Sequence, residues 1–397
     1  MMRSIHEFQK GGLIIRFNPN SLDFEAISSV GDKLHRLRSH EVWEDRLPTA
    51  FSKLFVVLGE RCNMHCTYCY NSSDGNMPRQ QNISTIIKAI DELVAQAQDE
   101  MEVSAVGGEP LLEWDLYKEM LDYAKKRCEE RKIKFKTGII TNGSLLTPEI
   151  IDCLVSIDAR VLLSIDGNEV RHDRNRKMQN GQGSFGAITK YLPYLLERSS
   201  FVEALAIMQR GETKIDKVVI ELADLGFKHI GVNLVSTNNN DLQYQITDMP
   251  ALDEAYGRLV DWLVNNDVVF EPFRTDLSFL KTGIDRQYYC NAGVDGVTLT
   301  VDGRYTVCPV LSGVPEATLG NISTGLDANM ISHFQSVTKR DHQIPCDTCW
   351  AAPVCGGGCV SRKHAFTQQF NIPANIECIH SKIRLEWALV YHARKGE

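Results

Sequence analysis

The residues with the clearest chemistry are cysteines. Cys62-Asn-Met-His-Cys66-Thr-Tyr-Cys69 is a C-x3-C-x2-C triplet. Three neighbouring thiolates suit a 4Fe–4S cluster, in which each sulfur ligates one iron. Three ligands leave the fourth iron open to a small molecule, as an open coordination position does in catalytic metal sites. Zinc is the rival reading, but structural zinc takes four ligands.

A second group lies near the C-terminus. Cys290 is followed by twelve residues, Gly303, four residues and Cys308; then come Cys346-x2-Cys349-x5-Cys355-x3-Cys359 and finally Cys378. The bland reading is a zinc ribbon built on the C-x2-C pair. Cys128 and Cys153 sit in helical patterns among apolar neighbours and read as core thiols.

Repeated strand–helix units must position the first triplet. Strands are predicted over Leu54–Leu58, Val103–Val106, Phe135–Ile140, Arg160–Ser164, Val202–Met208 and His229–Leu234. Helices are predicted over Ile83–Gln98, Leu112–Cys128, Pro148–Val155, Phe185–Glu197, Ile215–Leu225 and Leu252–Asn266. Such alternation means a parallel sheet with right-handed crossovers. Six units fit an open, partial (β/α)6 TIM-like barrel, with chemistry beyond the C-terminal strand ends. Before it, a strand over Leu13–Phe17, a turn at Asn18-Pro19-Asn20-Ser21 and a second strand near Leu22–Phe24 suggest a hairpin, and Ile27–Leu37 has helical spacing. The expected division is 1–49 as a preamble, 50–275 as the barrel and 276–397 as a bridging segment and cysteine domain. The last zone shows little long periodicity, as in a fold organised by metal rather than by a large apolar core.

Composition bounds the rest. The chain has 397 residues and net charge −8, without the basic face of a nucleic-acid binder. The basic run from Lys125 to Lys136 reads as a solvated helix face. There is neither a signal-peptide pattern nor an apolar run of the roughly 18 residues that span a bilayer, so a cytoplasmic protein without membrane partners is expected. In a reducing compartment the cysteines point to metal or catalysis rather than disulfides.

The triplet, with Tyr68 just before its last cysteine, resembles the radical S-adenosylmethionine (SAM) superfamily. That resemblance implies a SAM-chelated iron, one-electron cleavage of SAM, and a 5′-deoxyadenosyl radical that takes a hydrogen atom from the substrate. It implies a SAM cradle at successive strand ends: Gly107, Gly108, Glu109 and Pro110, with Glu109 accepting from the SAM ammonium; Thr141 and Asn142 before Gly143; then Ser164, Asp166 and Arg176. The later array resembles the SPASM domain, in which Cys346, Cys349, Cys355 and Cys378 would hold a distal cluster, and Cys290, Cys308 and Cys359 a nearer one. Three 4Fe–4S clusters and SAM are the implied cofactors. Some relatives supply an eighth cysteine between the first two positions; 291–307 contains none, which leaves another ligand or an open iron.

SPASM relatives act mostly on peptides and proteins, and the preamble resembles the opening of enzymes that modify ribosomally made peptides. A precursor peptide is the expected substrate, oxidatively modified by a carbon–carbon or thioether crosslink. Flavodoxin or ferredoxin is the expected reductant, and a separate leader-binding protein a further expected partner, since the preamble is too short for a winged-helix domain. Sulfatase maturation is the runner-up; those enzymes carry an Asp after the cysteine matching Cys308, where this chain has Pro309. A non-catalytic electron carrier is the reading from another class; it needs no SAM cradle. Arg274 and Asp276, between barrel and cysteine zone, are candidate substrate contacts.

Overall fold

A computed structural model describes residues 3–28, 33–37, 43–44, 50–71, 79–237 and 239–396. The chain begins with four antiparallel strands in sequential order: β1 (His6–Lys10), β2 (Leu13–Asn18), β3 (Asp23–Ser28) and β4 (Lys33–Leu37). The predicted hairpin is there; the predicted helix over Ile27–Leu37 is not, since its described parts are strands. Short apolar runs do not separate the two periods. Here β3 offers β4 a pairing edge, with Phe24 opposite Leu37, and Phe17, Phe24 and Ala26 are buried on one face. The two-residue strand β5 (Trp43–Glu44) pairs later in the chain.

The main sheet starts at β6 (Lys53–Gly59), which leads into the cysteine loop and its short strand β7 (Met64–Cys66). Helix α1 (Ile83–Gln96) crosses to β8 (Glu100–Gly107), and α2 (Trp114–Arg131) to β9 (Lys134–Thr141). Then follow α3 (Pro148–Ser156), β10 (Arg160–Ser164), α4 (Glu169–Asn175) and β11 (Arg176–Met178). The predicted helix 185–197 is broken into α5 (Phe185–Thr189) and α6 (Leu192–Arg198), with Pro193 at the new N-terminus. Next come β12 (Val202–Met208), α7 (Ile215–Asp224), β13 (His229–Leu234), α8 (Met249–Leu263), β14 (Val269–Phe270) and α9 (Glu271–Thr282). All six predicted strands form and run parallel. The first crossover is specified locally: Asn82 caps α1 by accepting from Ser84 N, and Ile86, Ala89, Ile90, Leu93 and Val94 bury one stripe.

The cysteine-rich zone continues this sheet. Strand β15 (Ile284–Asp285) pairs with β5, and β16 (Gly296–Leu299) lies parallel to β6. Strands β17 (Arg304–Thr306), β18 (Thr318–Asn321) and β19 (Gly325–Leu326) extend it antiparallel, giving eleven strands from β14 to β19 in an open sheet. Asp295 fixes the junction by accepting from Ser52 N and Oγ and pairing with Lys53. Helices α10 (Ala328–Thr338), α11 (Ala352–Cys355), α12 (Val360–Thr367) and α13 (Asn375–Lys395) complete the chain. The expectation of a zone lacking an apolar core is corrected by α13. Its Leu385, Trp387, Ala388, Leu389 and Val390 are buried, and it packs on α8, α9 and the N-terminal sheet. No described helix is long and apolar enough to cross a membrane.

Candidate active site

Because β6, β8, β9 and β10 are parallel, the predicted cradle residues collect at one edge of the sheet. The cysteine loop is bound to that edge by backbone. Gly108 N donates to Gly59 O at 2.9 Å and Glu109 N to Arg61 O at 2.8 Å. Gly107 has φ of +135°, and a Cβ on Gly108 would lie 2.1 Å from Arg61 O. Both glycines are therefore required by the approach of the end of β6 and of the loop that carries Cys62.

Glu109 is buried, and its carboxylate is already engaged. Oε1 accepts from Leu111 N at 3.0 Å and Thr141 Oγ1 at 2.6 Å, and Oε2 accepts from Asn142 N at 2.7 Å. Burial raises its pKa, against those three hydrogen bonds. Glu109 thus ties the end of β8 to the Thr141–Gly143 turn. Pro110 begins the short helical turn that follows. Asn142 Nδ2 reaches Asn63 Oδ1 at 2.9 Å and lies 3.8 Å from Cys62 Sγ, so the turn touches the cysteine loop directly.

Across the loop, β11 pairs antiparallel with β7: Arg176 is opposite Cys66, Lys177 opposite His65 and Met178 opposite Met64. This ribbon presents Arg176 to a buried cluster of Tyr68, Asp166 and His172. Asp166 Oδ2 accepts from Tyr68 OH; Oδ1 accepts from Ile207 N at 2.9 Å and lies 3.1 Å from Arg176 Nε. The guanidinium lies over the Tyr68 ring. Burial works against the Arg176 charge, but Asp166 holds it and the pKa ends raised. His172 Nδ1 accepts from Asp166 N, while Ser184 Oγ donates to Arg176 O and so must accept from His172 Nε2. That fixes a neutral imidazole, consistent with burial and Arg176 pushing its pKa down to about 4. Ser164 ends β10 half-buried, outside this hydrogen-bonded group.

The ten candidate ligand cysteines fall into three electrostatic neighbourhoods. Cys62, Cys66 and Cys69 act on one another; so do Cys290, Cys308 and Cys359; so do Cys346, Cys349, Cys355 and Cys378. Burial pushes Cys66 up to about 11, with Arg176 opposing, and Cys308 and Cys346 up to about 12. Such thiols give up their protons only to a strong electrophile such as iron. Each of the three groups is all-thiol, the donor type that iron–sulfur clusters take. The donor set fits iron–sulfur clusters. Arg176 Nε is buried and meets Asp166 Oδ1 as an ion pair rather than as an aligned hydrogen bond.

Cys346, Cys349, Cys355, Cys359 and Cys378 all line a small cavity of about 40 Å³, which Cys359 therefore shares with the last group. A second, open cavity of about 210 Å³ joins the regions: Tyr70 and Gly107 line it from the triplet side, Asp302 and Pro309 from the other. Of the candidate substrate contacts, Asp276 is buried in an ion pair with Arg384, and Arg274 pairs with Glu271 near the surface. Cys128 is buried in α2, but Cys153 is only half-buried in α3.

The sequence analysis missed several positioning residues. Gln179 donates to Cys62 O and its N–H to Asn63 O; buried Glu113 joins Arg61 to Gln80; Asp173 accepts from Ser184 N and Phe185 N. Asp173 three residues before Arg176 and Ser184 just before a helix are readable as a capping pattern; Gln179 has no local signal.

Residues 56–223 match the Radical SAM superfamily. The antilisterial bacteriocin subtilosin biosynthesis protein AlbA of Bacillus subtilis is 22% identical over 306 residues, covering 76% of this chain and 64% of AlbA, less than two thirds of its length. The cysteine-type anaerobic sulfatase-maturating enzyme of Clostridium novyi is 23% identical over 337 residues, covering 79% of this chain and 89% of that enzyme. The solved structure of native anSMEcpe with bound AdoMet superposes with a TM-score of 0.73 at 18% identity, covering 85% of this chain and 97% of that one; at this identity the likeness is one of fold. Residues 56–223 of this chain are a radical SAM domain, and the chain as a whole resembles the maturases of peptides and sulfatases.

Proposed function

We propose that the chain is a peptide maturase with one SAM-binding and two auxiliary 4Fe–4S clusters, the latter in a SPASM domain over 276–397 that follows a barrel over 50–275. The observation that supports this reading is the seating of the Cys62–Cys69 loop against the ends of β8 and β9, among the expected SAM-cradle residues, while Cys346, Cys349, Cys355, Cys359 and Cys378 line a separate cavity. Cys62, Cys66 and Cys69 would hold the first cluster, Cys290, Cys308 and Cys359 the nearer auxiliary one, and Cys346, Cys349, Cys355 and Cys378 the distal one.

When bound, cluster and SAM supply a 5′-deoxyadenosyl radical that takes a hydrogen atom from an unactivated C–H. The chain's own residues orient and shield. Gly107 and Gly108 bring the cysteine loop against β8; Glu109 sets the Thr141–Asn142 turn; Pro110 starts the turn behind it; Ser164, Asp166, Tyr68 and Arg176 form the wall at the end of β10, where neutral His172 adds no competing charge. The cavity between Tyr70 and Pro309 is wide enough to admit a peptide side chain from the surface.

The substrate proposed is a ribosomally made precursor peptide, losing two hydrogens as a carbon–carbon or thioether crosslink forms. Flavodoxin or ferredoxin would supply electrons in the cytoplasm, with a separate protein capturing the leader. AlbA, a bacteriocin biosynthesis protein, supports this class. Pro309 bears on the runner-up, formylglycine formation, because it has no group to take a proton there.

The test is anaerobic incubation of reduced enzyme and SAM with peptides encoded beside its gene and, in parallel, with a sulfatase-derived Cys or Ser peptide. A crosslinked product lacking two hydrogens, localised by tandem mass spectrometry, supports the proposal. Formylglycine in the sulfatase peptide, with no change in the others, would replace it by the runner-up.

A further inference from the structure

Four buried cations lie beside the C-terminal cysteines, and of these only Lys363 lines their cavity; Arg286 donates to the backbone carbonyls of Tyr288 and Val354. Arg362 is paired with Glu377 at 2.8 Å and Arg384 with Asp276 at 2.8 Å. Lys363, only 2% exposed, has no carboxylate within ion-pair distance among the described residues. Its Nζ donates to Gln343 Oε1 at 3.0 Å, a neutral amide itself fixed by donating to Thr338 O at 2.6 Å. An ammonium has three donors, and burying one without a counter-charge is unfavourable. What faces it are sulfurs. Lys363 lines one cavity with Cys359, assigned above to the nearer cluster, and with Cys346, Cys349, Cys355 and Cys378, assigned to the distal one.

The backbone makes this position deliberate. Lys363 N closes the first turn of α12 onto Cys359 O at 2.9 Å, so the ligand cysteine and the ammonium share one helical turn. Gly357, at φ +86°, leaves room for the amide that holds Lys363: a Cβ there would lie 2.8 Å from Gln343 Nε2.

We infer that Lys363 is a positioning residue between the two auxiliary clusters, whose ammonium is the shared counter-charge of both and raises both reduction potentials. This rests on the two-auxiliary-cluster reading above. A fixed positive charge favours the reduced, more negative state of a neighbouring cluster. Placed between two, it favours an electron residing on either and so eases its passage from one to the other.

The test is an anaerobic redox titration followed by EPR on the full-length enzyme, comparing wild type with Lys363→Met and Lys363→Arg after iron and sulfide analysis. Lys363→Met should make reduction of both auxiliary clusters at least tenfold less favourable, 59 mV for a one-electron couple, while the SAM-binding cluster keeps its potential. Lys363→Arg should restore at least half the shift. Unchanged potentials in fully loaded Lys363→Met overturn the inference. If that variant does not fold, wild-type protein labelled with 15N-lysine decides: 15N hyperfine coupling on both auxiliary signals supports it, and none on either overturns it. Wild type that binds iron for one cluster alone overturns the underlying reading instead.

Discussion

The two cysteine regions solve one problem by opposite means. In the first, three thiols sit within eight residues, and everything that aims them comes from elsewhere: backbone from β8, the turn after β9, the Asp166–Arg176 pair and the β11 ribbon. In the second, seven cysteines spread over 89 residues; six lie in loops, tight turns or the ends of short helices, with consecutive left-handed glycines at 356–358, and Cys378 lies in the first turn of α13. The first site is imposed on its loop by a sheet that is complete without it. The second has less scaffold of its own, so its ligands are part of what holds it. Metal should therefore be dispensable for folding in one region and required in the other.

The largest expected effect breaks that comparison directly. Replacing Cys346 and Cys349 by Ala should cost more than about 4 kcal/mol, the range reserved for loss of a metal or core, and open the C-terminal zone to limited proteolysis. Replacing Cys62, Cys66 and Cys69 by Ala should remove one cluster's iron and leave the proteolysis pattern unchanged. Equal protection in both variants would remove the distinction.

Next is Asp166→Asn. It leaves Arg176 buried without its counter-charge, a change worth about 3–5 kcal/mol, and should lower the thermal midpoint and weaken SAM binding together. An unaltered midpoint would mean that the pair is not structural. Gly108→Ala comes third. Its Cβ would meet Arg61 O at 2.1 Å, so the loop must move, at about 1–3 kcal/mol for overpacking. Iron in the first cluster should fall while the auxiliary signals persist.

The smallest effect sharpens the picture of the sheet interior. Burial, with Glu271 nearby, raises Glu203 to about 7, against the pull of Arg160 and Arg274. A raised carboxyl means that the folded state holds the proton more tightly. This contribution is full below the unfolded value near 4.5 and is lost as pH rises through about 7. Glu203→Gln should be nearly neutral at pH 5 and stabilising at pH 8, on the order of 1–2 kcal/mol, read as a thermal midpoint that crosses the wild type's. Parallel midpoints across that range would show that Glu203 titrates alike in both states.

The parallel strands were legible because Val, Ile and Leu runs such as Leu54–Leu58 and Val202–Met208 have one reading when helices separate them. The cysteines and the Gly107–Glu109 run were legible because their chemistry is carried by residue type and spacing. What was not legible depended on distant pairing. Ile27–Leu37 has helical spacing, but its described residues are strands because β3 supplies an edge. Glu109 reads as an acceptor at a strand end, and its oxygens also accept from Leu111, Thr141 and Asn142, an arrangement that exists only once β8 and β9 lie side by side. Gln179 and Lys363 carry no local signal, since each is defined by what it meets.

The central claim is that the Cys62–Cys69 loop does SAM chemistry. The measurement is 5′-deoxyadenosine by mass spectrometry, from anaerobically reconstituted, reduced enzyme and its Cys62/Cys66/Cys69→Ala variant, with iron measured in both. Product from the wild type and none from the variant is the predicted result. A wild type fully loaded with iron that forms no 5′-deoxyadenosine, with or without peptide, would contradict the account and leave an electron carrier in its place.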